Sequence, residues 1–305
     1  MKRLKLHGLV AATHSPFKAD GSVNYAIVEQ QATGLLKNKI AFAFINGTTG
    51  ESHSLTLDAR KKLAARWLAV TKGTKLKVIV HVGSNCIEDA RALSAHAQKI
   101  GAVAIAALSP SYFKPRNVAT LVDCCASIAG GAPEIPFYYY DIPALTGVSL
   151  SMPDFLTQGR EKIPTLAGIK WTNPDMYTYQ LSLNAHPDMD LPWGNDEYLL
   201  AGLALGATGA VGSTYNFAAP IYHRIFKALA RGDLDAARVD QHRSCLLVKT
   251  LAGQYCGYMG AAKALMGMLG VPVGPARLPN LSPTAEQVAQ LRAELETIGF
   301  FDWIK

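Results

Sequence analysis

The chain alternates between short apolar runs and longer amphipathic stretches. The apolar runs are rich in β-branched and small residues, as buried parallel strands are. They predict strands at 6–13, 41–46, 77–82, 102–108, 135–140, 166–170, 189–193 and 209–213. The stretches between them have helical periodicity and predict helices at 23–38, 57–72, 87–100, 117–129, 152–159, 174–184, 196–205 and 217–231.

Two architectures share this alternation, and the number of units separates them. An open doubly wound sheet is expected to carry GxGxxG after its first strand, and the sequence has no such motif there. Eight strand–helix units are what a (β/α)8 TIM barrel requires. After residue 232 the pattern changes to three helices, at 233–252, 257–270 and 283–298. We therefore predict a barrel over 1–232 and a three-helix C-terminal extension over 233–305.

Composition and charge narrow the class of protein. The chain has 305 residues, of which 49% are apolar and 17% charged, as in a soluble globular protein. The net charge of +7 is spread along the chain without a recognition motif, so we expect no nucleic-acid partner. A positive field can attract an anionic substrate. Apolar runs are too short for a membrane span, and the N-terminus is a poor signal peptide, so we expect no membrane partner.

Cysteine and histidine usage bears on metals and on cellular location. The five cysteines are odd in number and lack metal-site spacing. No HxH pair or HExxH motif occurs, so we predict no metal site. Buried free thiols suit a reducing compartment, which favours a cytoplasmic protein.

Lys170 is the strongest candidate for chemistry, because barrel active sites form where the strands end. It closes the apolar run LAGI of the sixth predicted strand. Only a neutral amine attacks a carbonyl carbon, so a lysine withdrawn from water suits Schiff-base chemistry. The other interpretation is a lysine whose stem packs at the strand end while its amine reaches solvent. Position alone favours neither.

The segment GTTGE, residues 47–51, follows the second predicted strand, and we name it the GTTGE loop. Its glycines let backbone amides converge, and the hydroxyls of Thr48 and Thr49 add donors. Such a turn entering a helix binds a carboxylate or phosphate. The alternative is ordinary helix capping by Thr and Glu.

Tyr140 ends the fifth predicted strand. A phenol that is hydrogen-bonded to a second hydroxyl can shuttle a proton. The alternative is a core aromatic, which we prefer for the two tyrosines before it. Strand alternation places Tyr138 and Tyr140 on one face and Tyr139 on the other.

Five motifs together resemble the N-acetylneuraminate lyase branch of the dihydrodipicolinate synthase superfamily. They are GTTGE at 47–51, YYYDIPALTG at 138–147, GIK at 168–170, GATGAVGSTYN at 206–216 and GPARLP at 274–279. The motifs follow the family's order and span nearly the whole chain. The resemblance implies a homotetramer of barrels and an aldolase that needs no cofactor, because the substrate is held as an imine of a lysine.

The resemblance also implies a role for individual residues. The imine-forming lysine falls on Lys170, the catalytic tyrosine on Tyr140, and the carboxylate-binding hydroxyls on Thr48 and Thr49. The residues that hold the sugar chain fall on Thr172, Gly194, Asp196, Glu197 and Ser213. A tyrosine that reaches toward a neighbouring subunit in the family falls on Tyr112.

One position separates the branches of this superfamily. Dihydrodipicolinate synthases carry an arginine two residues after the proline of the fifth-strand motif, where this chain has Leu145. A leucine cannot bind the second carboxylate, so the resemblance implies the lyase branch. Asp141 departs from the family, since lyases more often have Asn or His there, and it adds an anion next to Tyr140 along the strand.

The implied reaction is the reversible cleavage of N-acetylneuraminate to pyruvate and N-acetylmannosamine. A related pyruvate aldolase for another 2-keto-3-deoxy sugar acid remains an alternative, because the lysine and carboxylate end is shared. A sugar-acid-binding barrel without catalysis is a second alternative, against which the presence of Lys170 and Tyr140 speaks.

Overall fold

The structure, a computed structural model, describes residues 4–305 and shows a barrel of parallel strands enclosed by helices. The first three residues of the predicted 1–232 barrel lie outside the described residues. Within the described part, seven strands are β1 Gly8–Ala12, β2 Phe42–Ile45, β3 Lys77–His81, β4 Ala104–Leu108, β5 Phe137–Asp141, β6 Leu166–Trp171 and β7 Gly209–Gly212. Neighbours pair in parallel in the order β6-β5-β4-β3-β2-β1-β7.

The eighth predicted strand, 189–193, is an extended segment and not a regular strand. It fills the gap between β6 and β7 through single parallel bridges, at Asp190 to β6 and at Trp193 to both strands. Pro192 has no N–H to donate, which interrupts a regular ladder. The Trp193 amide donates to the Gly209 carbonyl of β7 at 2.9 Å. The closed barrel is confirmed, and the open sheet is excluded.

Helices cover the outside of the barrel and form the C-terminal extension. They are α1 Ile27–Lys37, α2 Leu57–Thr71, α3 Ile87–Lys99, α4 Val118–Ala129, α5 Pro143–Thr146, α6 Met152–Lys162, α7 Met176–Ala185, α8 Leu199–Ala204, α9 Tyr215–Ala230, α10 Leu234–Ala252, α11 Gly257–Met268, α12 Ala285–Thr297 and α13 Phe300–Trp303. The four-residue helices α5 and α13 are too short to produce the periodicity that predicts a helix. The predicted helix 196–205 divides into a 3₁₀ turn, Asp196–Tyr198, followed by α8.

A side-chain cap sets the start of α2. Thr56 accepts a hydrogen bond from the Ala59 amide at 3.2 Å and pairs one of the N–H groups that a helix start leaves free. The helix therefore begins at Leu57, and the GTTGE loop lies before it. A 3₁₀ turn, Ser52–Ser54, fills part of the interval. The loop thus leads into a short 3₁₀ turn and then into α2, which begins where the sequence predicts a helix.

Two apolar clusters follow the alternation of the strands. Tyr138 and Tyr140 belong to the cluster inside the barrel, together with Phe44. Tyr139 belongs to the larger cluster between strands and helices, where its ring lies 4.8 Å from that of Phe155. The predicted division of the three tyrosines between two faces is confirmed.

The C-terminal extension packs on one side of the barrel, with α10 against α9 and both α11 and α12 against α10. In residues 4–305 no helix is both long enough and apolar enough to cross a membrane. The five cysteines are unpaired; Cys86 and Cys245 are exposed, contrary to the expectation of buried thiols. The described residues contain no group of three or more His, Cys, Asp or Glu arranged to hold a metal ion.

Candidate active site

A cavity of about 250 Å³ opens at the carboxyl ends of the strands. Predicted site residues that line it are Thr48, Thr49, Tyr140, Lys170, Thr172, Gly194, Asp196, Glu197 and Ser213. The C-terminal extension completes the wall with Val248, Tyr258 and Met259. The barrel thus gathers at one mouth side chains that are far apart in sequence.

Lys170 and Tyr140 form the centre of the cavity. They are register partners on β6 and β5, so both side chains enter the barrel mouth. The Lys170 Nζ lies 3.6 Å from the centroid of the Tyr140 ring and 4.6 Å from that of Phe44. Lys170 is only 5% exposed. The interpretation in which its amine reaches bulk solvent is therefore wrong.

The Tyr140 hydroxyl has the second hydroxyl that a proton shuttle needs. It lies 3.3 Å from Thr48 Oγ1, and either oxygen can be the donor. This contact joins the GTTGE loop to the tyrosine that stands over Lys170. A proton accepted by one hydroxyl can pass to the other without leaving the cavity.

The capping interpretation of the GTTGE loop fails at Glu51. Glu51 stands at the N-cap of the 3₁₀ turn Ser52–Ser54, but its side chain makes no capping hydrogen bond there. Its Oε1 instead accepts a hydrogen bond from Lys263 Nζ of α11 at 2.7 Å. Thr48 and Thr49 face the cavity. The loop thus has its two threonines on the cavity that holds Lys170 and its carboxylate turned toward the C-terminal extension.

Two carboxyl groups line the same cavity from the 3₁₀ turn after the barrel-closing segment, those of Asp196 and Glu197. Asp196 Oδ2 accepts from the Thr214 amide at 2.9 Å and from its hydroxyl at 2.6 Å. Burial raises the pKa of Asp196, and those hydrogen bonds oppose the rise. Burial also raises the pKa of Glu197. Beside them the Ser213 hydroxyl lies 2.6 Å from that of Tyr258.

Gly194 lines the cavity because nothing larger fits. Its amide donates to the Trp171 carbonyl at 2.6 Å, which draws the two segments together. A Cβ at this position would lie 2.0 Å from Thr172 Oγ1. The glycine therefore lets Thr172 take its place in the cavity wall.

Tyr112 lies apart from the other predicted site residues. It is 78% exposed and stacks edge-on against Phe113 at 5.0 Å. Its amide and that of Ser111 donate to Asn85 Oδ1, which holds the loop after β4 on the surface. The structure does not bring Tyr112 into the cavity of its own chain.

His81 belongs to the site although no motif in the sequence pointed to it. Its ring meets that of Tyr140 edge-on at 5.9 Å, and its Nδ1 lies 2.8 Å from the Asn46 carbonyl. A carbonyl accepts only, so Nδ1 carries a proton. Burial lowers the pKa of His81 well below its ordinary value, so the ring is neutral. Tyr258 and Met259 also had no sequence signal, because only packing brings α11 to the mouth.

Asp141 does not add its charge beside Tyr140. Strand alternation directs its side chain away from the cavity, where Asn173 Nδ2 donates to its Oδ2 at 2.9 Å. Burial raises the pKa of Asp141 to about 6, and the Asn173 hydrogen bond opposes the rise. Burial raises the pKa of Tyr139, and the negative charge of Asp141 adds to that rise.

Asp141→Asn should remove a pH dependence of stability. The folded state holds the Asp141 proton more tightly than the unfolded chain, so the protonated carboxyl stabilises the fold below pH 3.8 and this contribution is lost as pH rises through about 6. Between pH 4 and 8 the free energy of unfolding of the wild type should fall by about 2 kcal/mol relative to the variant. Urea unfolding across this range measures the difference, and parallel curves would contradict the expectation.

Fold and site together define an α/β barrel protein with a buried amine facing a hydroxyl-rich cavity at its mouth. The chain matches the Dihydrodipicolinate synthetase family over residues 5–298 and belongs to that family. It is 38% identical to N-acetylneuraminate lyase of Gallus gallus over 303 residues, 98% of each chain.

Solved structures give the same likeness. The N-acetylneuraminate lyase of Proteus mirabilis superposes with a TM-score of 0.93 at 38% identity, covering 97% of this chain and 100% of that one. The sialic acid aldolase of Aliivibrio salmonicida also has a TM-score of 0.93, at 37% identity, with 98% of each chain covered. The barrel and its C-terminal extension are therefore shared along nearly the full length.

Proposed function

We propose that this chain is an N-acetylneuraminate lyase, a class I aldolase that reversibly cleaves N-acetylneuraminate to pyruvate and N-acetylmannosamine. The observation that carries the proposal is the Lys170 amine, buried in a cavity that hydroxyl and carboxyl groups line together. Relatives named as this lyase, which match along nearly the whole chain, support the choice of substrate.

The reaction begins at Lys170. Its neutral amine attacks C2 of the open-chain sugar acid, and loss of water gives a protonated imine. That cation accepts the electron pair of the breaking C3–C4 bond, so N-acetylmannosamine leaves and an enamine remains. Protonation at C3 and hydrolysis release pyruvate and restore the amine. The proposed reaction needs no cofactor, because the imine supplies the electron sink.

The GTTGE loop and Tyr140 serve the pyruvate end of the substrate. Thr48 and Thr49 donate hydrogen bonds to the C1 carboxylate. As the carbon–carbon bond breaks, Tyr140 accepts the proton of the C4 hydroxyl while its own proton passes to Thr48, at 3.3 Å. The Thr48 hydroxyl in turn gives its proton to the C1 carboxylate. This transfer keeps the leaving aldehyde neutral without exposing the imine to bulk water.

The polyol tail lies on the opposite wall. Asp196 and Glu197 accept hydrogen bonds from its hydroxyls, and Thr172 and Ser213 bind the remaining ones. A site built to hydrogen-bond hydroxyls rejects a substrate that lacks them, because its buried polar groups are then left unpaired. These four residues therefore select among sugar acids that share the pyruvate end.

The proposed assembly is a homotetramer in the cytoplasm. Thr48 also lines a second cavity of about 300 Å³, together with Ser111 and Leu145. In the assembly, this cavity admits Tyr112 of a neighbouring subunit to the hydroxyl relay, which explains why Tyr112 is exposed in a single chain. The unpaired cysteines support a reducing compartment.

Pyruvate release tests the proposal. N-acetylneuraminate and 2-keto-3-deoxygluconate are compared as substrates, each with wild-type protein and with Lys170→Met. We expect release from the first substrate only, lost in the variant. Release only from the second would assign the chain to an aldolase for another 2-keto-3-deoxy sugar acid. Tight binding without release from either would support a non-catalytic sugar-acid-binding barrel.

A further inference from the structure

The GPARLP segment, 274–279, has no part in the proposed mechanism, although it is one of the motifs that identify the family resemblance. It follows α11 and lines no part of the cavity that holds Lys170. Its contacts include Glu51 of the GTTGE loop, Ser54 of the turn after it, and Gly21 near the start of the chain. These contacts therefore bear on the conformation of the GTTGE loop.

The GTTGE loop is bounded by two residues in the left-handed backbone region. Asn46, just before it, has a φ of 57°, and Glu51, its last residue, has a φ of 50°. Asparagine tolerates this region, but a longer side chain such as glutamate rarely adopts it. Strained residues persist only where their surroundings hold them, and they concentrate at functional sites. Each end of the loop therefore needs an anchor.

The barrel anchors the first end. The Asn46 carbonyl accepts from His81 Nδ1 at 2.8 Å, and its side-chain amide donates to the Arg60 carbonyl at 3.1 Å. Ser15 Oγ donates to the Gly50 carbonyl at 2.6 Å near the other end. These contacts leave the side chain of Glu51 to be held from elsewhere.

The C-terminal extension anchors the second end through the Glu51 carboxylate. The Glu51 side chain is 0% exposed and that of Lys263 2%, and their ion pair measures 2.7 Å. The Arg277 amide donates to Glu51 Oε2, also at 2.7 Å, and Asn280 Nδ2 lies 3.3 Å from the same oxygen. A buried carboxylate with charged and amide donors at these distances has one favourable position.

Lys263 and Arg277 are themselves fixed. Both cations lie over the ring of Phe17, at 4.2 and 4.4 Å from its centroid. Arg277 Nη1 also donates to the Ser54 carbonyl at 2.7 Å. Ser54 belongs to the 3₁₀ turn that follows Glu51, so the extension holds the end of the loop and the turn after it.

We propose that Glu51, Lys263 and Arg277 are positioning residues that set the hydroxyls of Thr48 and Thr49 for the substrate carboxylate. The inference rests on the proposed function for the identity of that carboxylate. None of the three lines the cavity that holds the reacting amine, so they act on the substrate only through the loop. The C-terminal extension is thereby part of the pyruvate-binding machinery.

Two variants test this role. Glu51→Gln/Lys263→Met removes both charges together and leaves no unpaired buried ion, so it preserves the fold better than either single change. Arg277→Lys keeps the charge and the amide contact but loses the planar fork. The initial rate of borohydride trapping of the Lys170 imine, measured against pyruvate concentration, gives a half-saturating concentration that does not depend on how much protein is folded.

We expect the half-saturating pyruvate concentration to rise about ten- to hundredfold in the double variant, as a displacement of about 1 Å in a binding group can cause, and by a smaller factor in Arg277→Lys. The maximal trapping rate should change less than the half-saturating concentration. Glu296→Gln, which breaks an exposed ion pair with Arg292 in the same extension, is the matched control and should leave both values unchanged.

The possible outcomes distinguish a failure of the positioning role from a failure of the proposed function. Variants that fold but keep the wild-type half-saturating concentration would overturn the positioning role, even if their unfolding midpoints fall. A wild-type protein that forms no adduct with pyruvate would instead overturn the proposed function. A rise confined to the double variant, with Arg277→Lys unchanged, would remove Arg277 from the assignment.

Discussion

Lys170→Met should abolish pyruvate release from N-acetylneuraminate, with kcat lower by a factor of at least about 10⁴, the scale of loss seen when a covalent nucleophile is removed. Methionine is unbranched like lysine but apolar, so it fills the buried site beside the rings of Tyr140 and Phe44 without supplying an amine. Mass spectrometry after borohydride reduction with pyruvate should find an adduct in the wild type and none in the variant. A steady-state assay of pyruvate release measures the rate.

The matched control is Lys77→Met. Lys77 is an exposed lysine at the opposite end of a barrel strand, so its loss should leave activity unchanged. Retention of adduct formation in Lys170→Met would show that another amine captures the substrate. Retention of cleavage without any adduct would remove the imine from the mechanism altogether.

Tyr140→Phe should lower kcat by a factor of about 10²–10⁴, the usual contribution of a positioned acid–base group. The change removes one oxygen and leaves the ring, which keeps its contact with the Lys170 amine at 3.6 Å. Imine formation with pyruvate should therefore persist, because the variant loses the proton acceptor for carbon–carbon cleavage and keeps the amine. Trapping with pyruvate and cleavage of N-acetylneuraminate are measured on the same preparation.

Tyr139→Phe is the control for this variant. It removes the same atom from the neighbouring residue, whose ring lies in the outer core against Phe155. Cleavage should be retained there. If Tyr140→Phe keeps kcat within about threefold of wild type, the proton leaves by another route and the Tyr140–Thr48 relay is not used.

The sequence by itself determined the repeating architecture and the centre of the site. Alternation of apolar strands with amphipathic helices is a local property, so it can be read without knowing which segments touch. The same holds for strand faces, and the division of Tyr138, Tyr139 and Tyr140 between two clusters follows from a period of two. Because barrel sites lie at strand ends, the strand pattern alone was enough to place Lys170 and Tyr140 at the mouth.

Contacts between distant segments could not be obtained this way. Glu51 resembles a helix-capping residue in sequence, yet its partner Lys263 lies 212 residues further on. Tyr258 reaches the cavity only because α11 packs back toward the barrel. The hydrogen-bond partner of Asp141, Asn173, also comes from a different segment, the loop after the next strand.

The closure of the barrel is a second feature that local sequence patterns do not predict in full. The segment 189–193 is apolar enough to predict a strand, but Pro192 lacks the N–H that a regular ladder uses, and the segment forms single bridges to its neighbours at Asp190 and Trp193. Local patterns record how each residue prefers to fold, and on that basis the sequence determined the elements. The roles proposed for Lys170 and Tyr140 came from the family resemblance of the motifs that contain them. Which groups meet across the mouth depends on distances between segments far apart in the chain, and only the tertiary structure decided those.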